Sequence, residues 1–168
     1  FAAAALGDPD EEGTLVYLWL RPVRRSRLVF AAAAASFTVA WPVVVIPLGI
    51  AAAATGGGAD LVTGTIGSAT VALVAYTGIF CALGLVTKRS LVWGLLYILI
   101  WEAFVARGGD NAARLAVRSI TATLLADPTG IDVRFAVLAP TTAYIAPFVV
   151  AAVALLYASW RLRRQDVA

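Results

Sequence analysis

The sequence predicts an all-α protein, a polytopic bundle of membrane helices, and three observations lead to that prediction. The chain of 168 residues is 61% hydrophobic with a mean hydropathy of +0.88, whereas soluble domains are about 45–50% apolar. Four long apolar runs follow one another, and most of them reach the roughly 20 residues that cross about 30 Å of hydrocarbon. Too little polar chain remains to cover these runs as the core of a soluble protein, which is the alternative.

The predicted membrane helices comprise three full crossings and one short one, the third. They cover residues 28–55, 61–86, 91–106 and 137–160. The opening residues 1–6, FAAAAL, are interpreted as the last turns of a preceding membrane helix, with a small flexible tail as the alternative. Two preceding helices would bring the full chain to six crossings.

The second crossing carries a stripe of small residues at helical spacing. Its members are Gly64, Ser68, Ala72, Ala75, Gly78 and Ala82. In lipid, such a stripe lets another helix approach closely. Close packing is the more common origin of this pattern, and a substrate path is the other.

The segment of residues 107–136 is expected on the outer side of the membrane. Between Asp110 and Leu125 the apolar residues recur at helical spacing, which favours an amphipathic helix that lies at the membrane surface or dips partly into it. A soluble outer loop with some helix is the alternative.

Glu102 is the one acidic residue predicted inside a membrane helix. A charge exposed to hydrocarbon costs roughly 2.5–3.5 kcal/mol on insertion scales. We therefore expect Glu102 to face the bundle interior or the outer interface, with Arg107, Arg114 or Arg118 as its partner. A solvated carboxylate at the helix end is the alternative.

The basic residues divide unequally between the two sets of loops. One set, formed by residues 7–27, the turn at 88–90 and the C-terminus, carries nine basic residues, and the other set carries four. Because basic loops stay in the cytoplasm, this inequality predicts a cytoplasmic C-terminus and a cytoplasmic segment at residues 7–27.

The segment GDPDEEGTLVYLWLRPVRRSR, residues 7–27, holds four of the ten acidic and four of the thirteen basic residues. Acidic residues come first and basic residues last, which complements the dipole of a helix. With Leu15, Leu18 and Trp19 on one face, the segment suits an interfacial cytoplasmic helix. A solvated charged loop beside anionic lipid fits the composition equally well.

This segment resembles the permease subunits of type-2 ATP-binding-cassette transporters, in which a Gly, an acidic cluster, Gly-Thr-Leu and a Pro-Val-x-Arg motif join two membrane helices. LGLVTKRSLVWGLLYILIWE and the terminal YASWRLRRQDVA are similar to later parts of the same family, in the same order, so that the resemblance covers nearly all 168 residues. At Pro9 the chain departs from the family, which commonly has a glutamate there.

The resemblance implies a function and a set of partners. It implies the permease subunit of an exporter in the bacterial inner membrane, with a separate ATP-binding-cassette ATPase subunit, a second permease copy (identical or different), membrane lipids and no nucleic acid as its partners. The residues expected to form the coupling contact with the ATPase are Asp8, Asp10, Glu11, Glu12, Gly13, Thr14, Arg21, Arg24 and Arg25.

Several kinds of chemistry are excluded by composition. The chain has no histidine, one cysteine and no Gly-x-x-x-x-Gly-Lys-Ser/Thr motif, so no catalytic, cofactor-binding or metal-binding site is expected. ATP hydrolysis is expected in the partner subunit. The alternative to a transport permease is a membrane scaffold or assembly protein without a transport path.

Overall fold

The computed structural model of the chain describes residues 2–5, 24–87, 89–104, 114, 116–130, 133 and 138–164. These residues form helices and their connections, and none of the described residues lies in a β-strand. The predicted fold class, an all-α bundle, is confirmed for this part of the chain.

Five helices make up the described bundle. They are α1, Arg25–Ala54; α2, Gly58–Val86; α3, Ser90–Leu96, which continues as a π-helical turn over Tyr97–Glu102; α4, Val117–Thr129; and α5, Pro140–Arg164. Of these, α1, α2 and α5 are long and apolar enough to cross a membrane. Their bounds lie within a few residues of the predicted runs.

The third predicted crossing, residues 91–106, is not among the helices long enough to span. Its described part has seven residues of α-helix followed by six of π-helix. At about 1.5 Å per residue, α3 and its π-helical turn extend about 20 Å, short of the roughly 30 Å hydrocarbon core. The described part of this run is therefore shorter than a full crossing, and the fourth crossing stays a prediction.

Helix α2 is the centre of the bundle, because α1, α3, α4 and α5 all pack against it. Helix α5 also packs against α1 and α4. Two clusters of buried apolar residues hold these helices together. One comprises Val29, Ala33, Cys81, Leu85, Ala158 and Leu162, and the other comprises Ile120, Leu124 and Ala143.

Helix α4 is the described part of the helix predicted in the outer segment. The expected helix between Asp110 and Leu125 begins, in the described residues, at Val117, and it ends at Thr129 before Gly130, whose φ of 65° is the left-handed helix cap. In the described residues its apolar face is buried against α2 and α5. The position of this helix relative to the membrane stays a prediction.

The small-residue stripe on α2 packs closely against other helices at two of its members, and two others border a groove. At Gly78, an added Cβ would lie 2.6 Å from the Ala151 Cα, so α2 and α5 are in backbone contact there. At Gly64, an added Cβ would meet side chains of α4 at 3.3–3.4 Å. Ser68 and Ala72, in contrast, line a groove.

The Gly78 contact gives a testable expectation. Gly78→Ala should lower the free energy of unfolding by about 1–3 kcal/mol, the usual cost of overpacking, because the new methyl group meets backbone that cannot rotate away. Gly67→Ala is the matched control, since an added Cβ there meets nothing within 4 Å. Equilibrium unfolding in mixed micelles measures both variants. Equal stability of the two would contradict the close packing of α2 and α5.

One end of the bundle is strongly basic. It carries Arg24, Arg25, Arg27, Arg89, Arg161, Arg163 and Arg164, whereas Asp60 and Asp127 lie towards the opposite end. Arg25 Nη1 donates to the Leu162 and Arg163 carbonyls at 3.1 and 3.0 Å, and Arg161 Nε donates to the Leu85 carbonyl at 2.8 Å. These bonds satisfy carbonyl groups at helix C-termini and tie α1, α2 and α5 together at this end.

Candidate functional site

The Glu102 carboxylate lies at the end of the π-helical turn and is only 4% exposed. Its Oε1 accepts hydrogen bonds from the Tyr97 hydroxyl at 3.1 Å and from the Val117 backbone N–H at 2.9 Å. Its Oε2 accepts one from the Arg118 backbone N–H at 3.0 Å. The carboxylate thus faces the bundle interior, which was one of the two positions expected from the sequence.

These bonds make Glu102 the cap of helix α4. The first N–H groups of a helix have no partner within the helix, and the residue before α4, Ala116, has no side chain that can cap them. A carboxylate at a helix N-terminus is also favoured by the helix dipole. Glu102 therefore fixes the start of α4 from a position 14 residues earlier in the chain than Ala116.

One of the three arginines expected as partners of Glu102 contacts it in the described residues. Arg118 donates its backbone N–H to the carboxylate. Arg107 lies outside the described residues, and the described Arg114 is exposed. Two backbone N–H groups and the Tyr97 hydroxyl are among the donors that hold the carboxylate.

The carboxylate lies about halfway along the bundle. Glu102 is some 20 Å from the start of α3 at about 1.5 Å per residue. Tyr76 of α2 lines the same groove as Glu102 and lies roughly 15 Å before the end of that helix by the same rise. By both estimates the junction of the π-helical turn with α4 lies about 15–20 Å from the basic end of the bundle, away from both ends of the 29-residue helix α2.

Aromatic rings surround one side of this junction. The rings of Tyr76 and Phe80 stack with centroids 5.8 Å apart, and Phe80 meets Tyr97 edge to face at 6.4 Å. Such pairs contribute roughly 0.5–1.5 kcal/mol beyond the burial of their area. They fix the side chains that approach Glu102 from α2 and from the π-helical turn.

A groove of about 600 Å³ runs along α2 beside Glu102. Its walls come from α1, α2, the π-helical turn and α4, together with Val133. The apolar part of the lining comprises Val44, Leu48, Ala69, Ala72, Leu73, Ile98, Ala103, Ala122, Leu125 and Val133. The polar part comprises Thr65, Ser68, Tyr76, Glu102, Arg118 and Thr121.

Two hydroxyl groups of the lining already donate to their own helices. Ser68 Oγ donates to the Thr65 carbonyl at 3.2 Å, and Thr121 Oγ1 donates to the Arg118 carbonyl at 2.8 Å. Each of these oxygens keeps lone pairs that can accept hydrogen bonds. The groove can therefore receive an apolar molecule and orient a polar group on it, which is the usual composition of a small-molecule site.

The structure describes few of the predicted coupling residues. Asp8, Asp10, Glu11, Glu12, Gly13, Thr14 and Arg21 lie outside the described residues. Arg24 is exposed directly before α1, and Arg25 binds the C-terminal carbonyls of α5. Within the described part of the chain, no three His, Cys, Asp or Glu side chains come together as metal ligands.

Comparison with known protein families, with curated proteins and with solved structures found no match for this chain. The geometry around Glu102 and the quoted sequence motifs are therefore the grounds for a function.

Proposed function

We propose that the chain is a permease subunit of an ATP-binding-cassette transporter, and that the groove beside Glu102 forms part of its solute path. A separate ATPase subunit drives it, a second permease copy completes it, and its direction is export. The protein resides in the bacterial inner membrane with its basic end and its C-terminus in the cytoplasm.

One observation carries this proposal: one helical segment ends and another begins away from the ends of the bundle, at a buried carboxylate beside a groove. The π-helical turn ends at Glu102, and α4 begins where that carboxylate binds its N–H groups. Discontinuous helices of this kind form the substrate sites of many transporters, and an ionisable residue within the membrane commonly marks a solute path. A scaffold needs neither feature, so a transport role accounts for the geometry better.

The sequence motifs supply the link to an ATPase. Residues 7–27 resemble the coupling segment of type-2 permeases, and their last three residues are the first three of α1. The seven arginines at the adjacent end of the bundle agree with a cytoplasmic location under the positive-inside rule. Movement of an ATPase against this segment would pass to α1 and, through Arg25, to the end of α5.

Co-expression with the ATPase encoded beside its gene tests the proposal. We expect the ATPase to co-purify with the chain from detergent-solubilised membranes, and its hydrolysis rate to change when the pair is reconstituted into liposomes. If the chain folds and inserts but the ATPase neither binds nor changes its hydrolysis rate, the scaffold function replaces the permease.

A further inference from the structure

Helix α5 carries an exposed apolar stripe that ends in arginine. Its members recur at spacings of one to four residues on one side of the helix: Val149, Val153, Leu156, Tyr157 and Trp160, each 42–60% exposed. The last member is followed one turn later by Arg164, whose guanidinium carbon lies 4.2 Å from the Trp160 ring centroid. The apolar surface of the stripe therefore ends directly beside the positive charge of Arg164.

The end of this stripe has the composition of a membrane interface. Trp160 stacks with Tyr157 at 5.9 Å between ring centroids, and Trp and Tyr are enriched at the headgroup level of membranes. A guanidinium on an indole face is held by a cation–π interaction. This contact holds the Arg164 charge beside an aromatic pair of the kind that is enriched at the headgroup level.

A second guanidinium is available beside the first. Arg163 Nε donates to the Ser159 carbonyl at 3.3 Å, and no described residue bonds to its two terminal nitrogens. Arg163 and Arg164 are both exposed. The described acidic residues, Asp60, Glu102 and Asp127, all lie away from this end, so no carboxylate among the described residues competes for these two arginines.

We propose that the last turn of α5 is a binding site for one anionic phospholipid, whose phosphate contacts Arg163 and Arg164 while an acyl chain lies along the stripe that ends at Trp160. Guanidinium groups bind phosphate oxygens through paired hydrogen bonds. Basic pockets at the cytoplasmic side of membrane helices bind anionic headgroups in the same way. The proposal holds whether or not the chain transports a solute.

A lipid fits this surface better than an acidic protein does. A water-soluble partner could reach the arginines, but it could not cover the apolar stripe, which continues from Trp160 to Val149 over about 16 Å at the rise of an α-helix. Only a molecule with an anionic head and an apolar tail matches both parts.

Quenching of tryptophan fluorescence by brominated lipid tests the site. The full chain is reconstituted into vesicles of phosphatidylcholine that contain either brominated phosphatidylglycerol or brominated phosphatidylcholine at equal mole fraction. The difference between the wild type and Trp160→Phe isolates the emission of Trp160 from that of the other four tryptophans. We expect quenching of Trp160 to be at least three times as effective with the anionic lipid.

Paired variants separate a specific site from diffuse charge. Arg163→Gln with Arg164→Gln should bring the two quenching efficiencies to within about 20% of each other. Arg27→Gln with Arg89→Gln removes the same charge from exposed positions at the same end and should keep the preference. Equal quenching by both lipids in the wild type would overturn the proposal. An equal loss of the lipid preference in both double variants would also overturn it. A loss of ATPase binding in Arg163→Gln/Arg164→Gln would do so as well, if the wild type shows no lipid preference.

Discussion

Replacing Glu102 with alanine is expected to lower the free energy of unfolding by about 3 kcal/mol or more, because each buried donor left without an acceptor costs roughly 1–3 kcal/mol. The substitution removes the acceptor of the Tyr97 hydroxyl and of the Val117 and Arg118 N–H groups at once. Unfolding in mixed micelles measures the loss. Hydrogen exchange at the amides of Val117 and Arg118 should accelerate selectively, since α4 loses its cap.

Two further variants show whether the loss of the α4 cap causes the lower stability of Glu102→Ala. Glu102→Gln keeps one oxygen that can accept hydrogen bonds from the N–H groups of α4. Its free energy of unfolding should therefore fall by less than that of Glu102→Ala. Asp127→Asn removes an acidic charge from an exposed position on α4 and should leave stability within about 0.5 kcal/mol of the wild type. If Glu102→Ala unfolds like the wild type and the exchange of Val117 is unchanged, Glu102 does not position α4.

Neutralising the coupling segment should produce the largest loss of function. The combined substitution Glu11→Gln, Glu12→Gln and Arg24→Gln removes charge from both ends of the segment that we assign to ATPase contact. We expect the affinity for the ATPase to fall at least tenfold, equivalent to about 1.4 kcal/mol, or ATP hydrolysis to continue without transport. Co-purification followed by hydrolysis and transport assays in liposomes measures these outcomes.

The control for this variant has the same charge change elsewhere. Asp60→Asn, Asp127→Asn and Arg114→Gln together neutralise two acidic residues and one basic residue that are exposed and away from the basic end. This variant should bind the ATPase and support transport like the wild type. Normal binding and transport by the Glu11, Glu12 and Arg24 variant would show that the segment does not couple hydrolysis to movement.

The long helices could be predicted because their determinant is local. A run of apolar residues reveals a helix that is long enough to cross a membrane, and α1, α2 and α5 follow their runs within a few residues. Apolar composition alone does not show where a helix stops, so the end of the helix in the third run could not be predicted. In the described residues the π-helical turn ends at Glu102, which bonds to a helix further along the chain.

The depth of α4 could not be predicted for the same reason. Periodicity located an amphipathic helix, but its burial depends on space that other helices provide, such as the surface of α2 around Gly64. The sequence singled out Glu102, whereas Tyr76 and Tyr97 were missed. Tyr97 is five residues before Glu102, a separation that brings side chains to one side only in a π-helical turn, so no α-helical pattern could have indicated it.

The access of water to the groove is the most direct test of the central claim, that the groove is part of a solute path. Val44 lines the groove, whereas its neighbour Val43 is 61% exposed on the outside of the bundle. The native Cys81 is fully buried, so it gives little background in thiol labelling. With a membrane-impermeant thiol reagent supplied to both faces of reconstituted vesicles, Val44→Cys should react at least tenfold faster than Val43→Cys, and ATP with the ATPase should change its rate. Equal, slow rates for both cysteines, unaffected by ATP, would contradict a solute path in the groove.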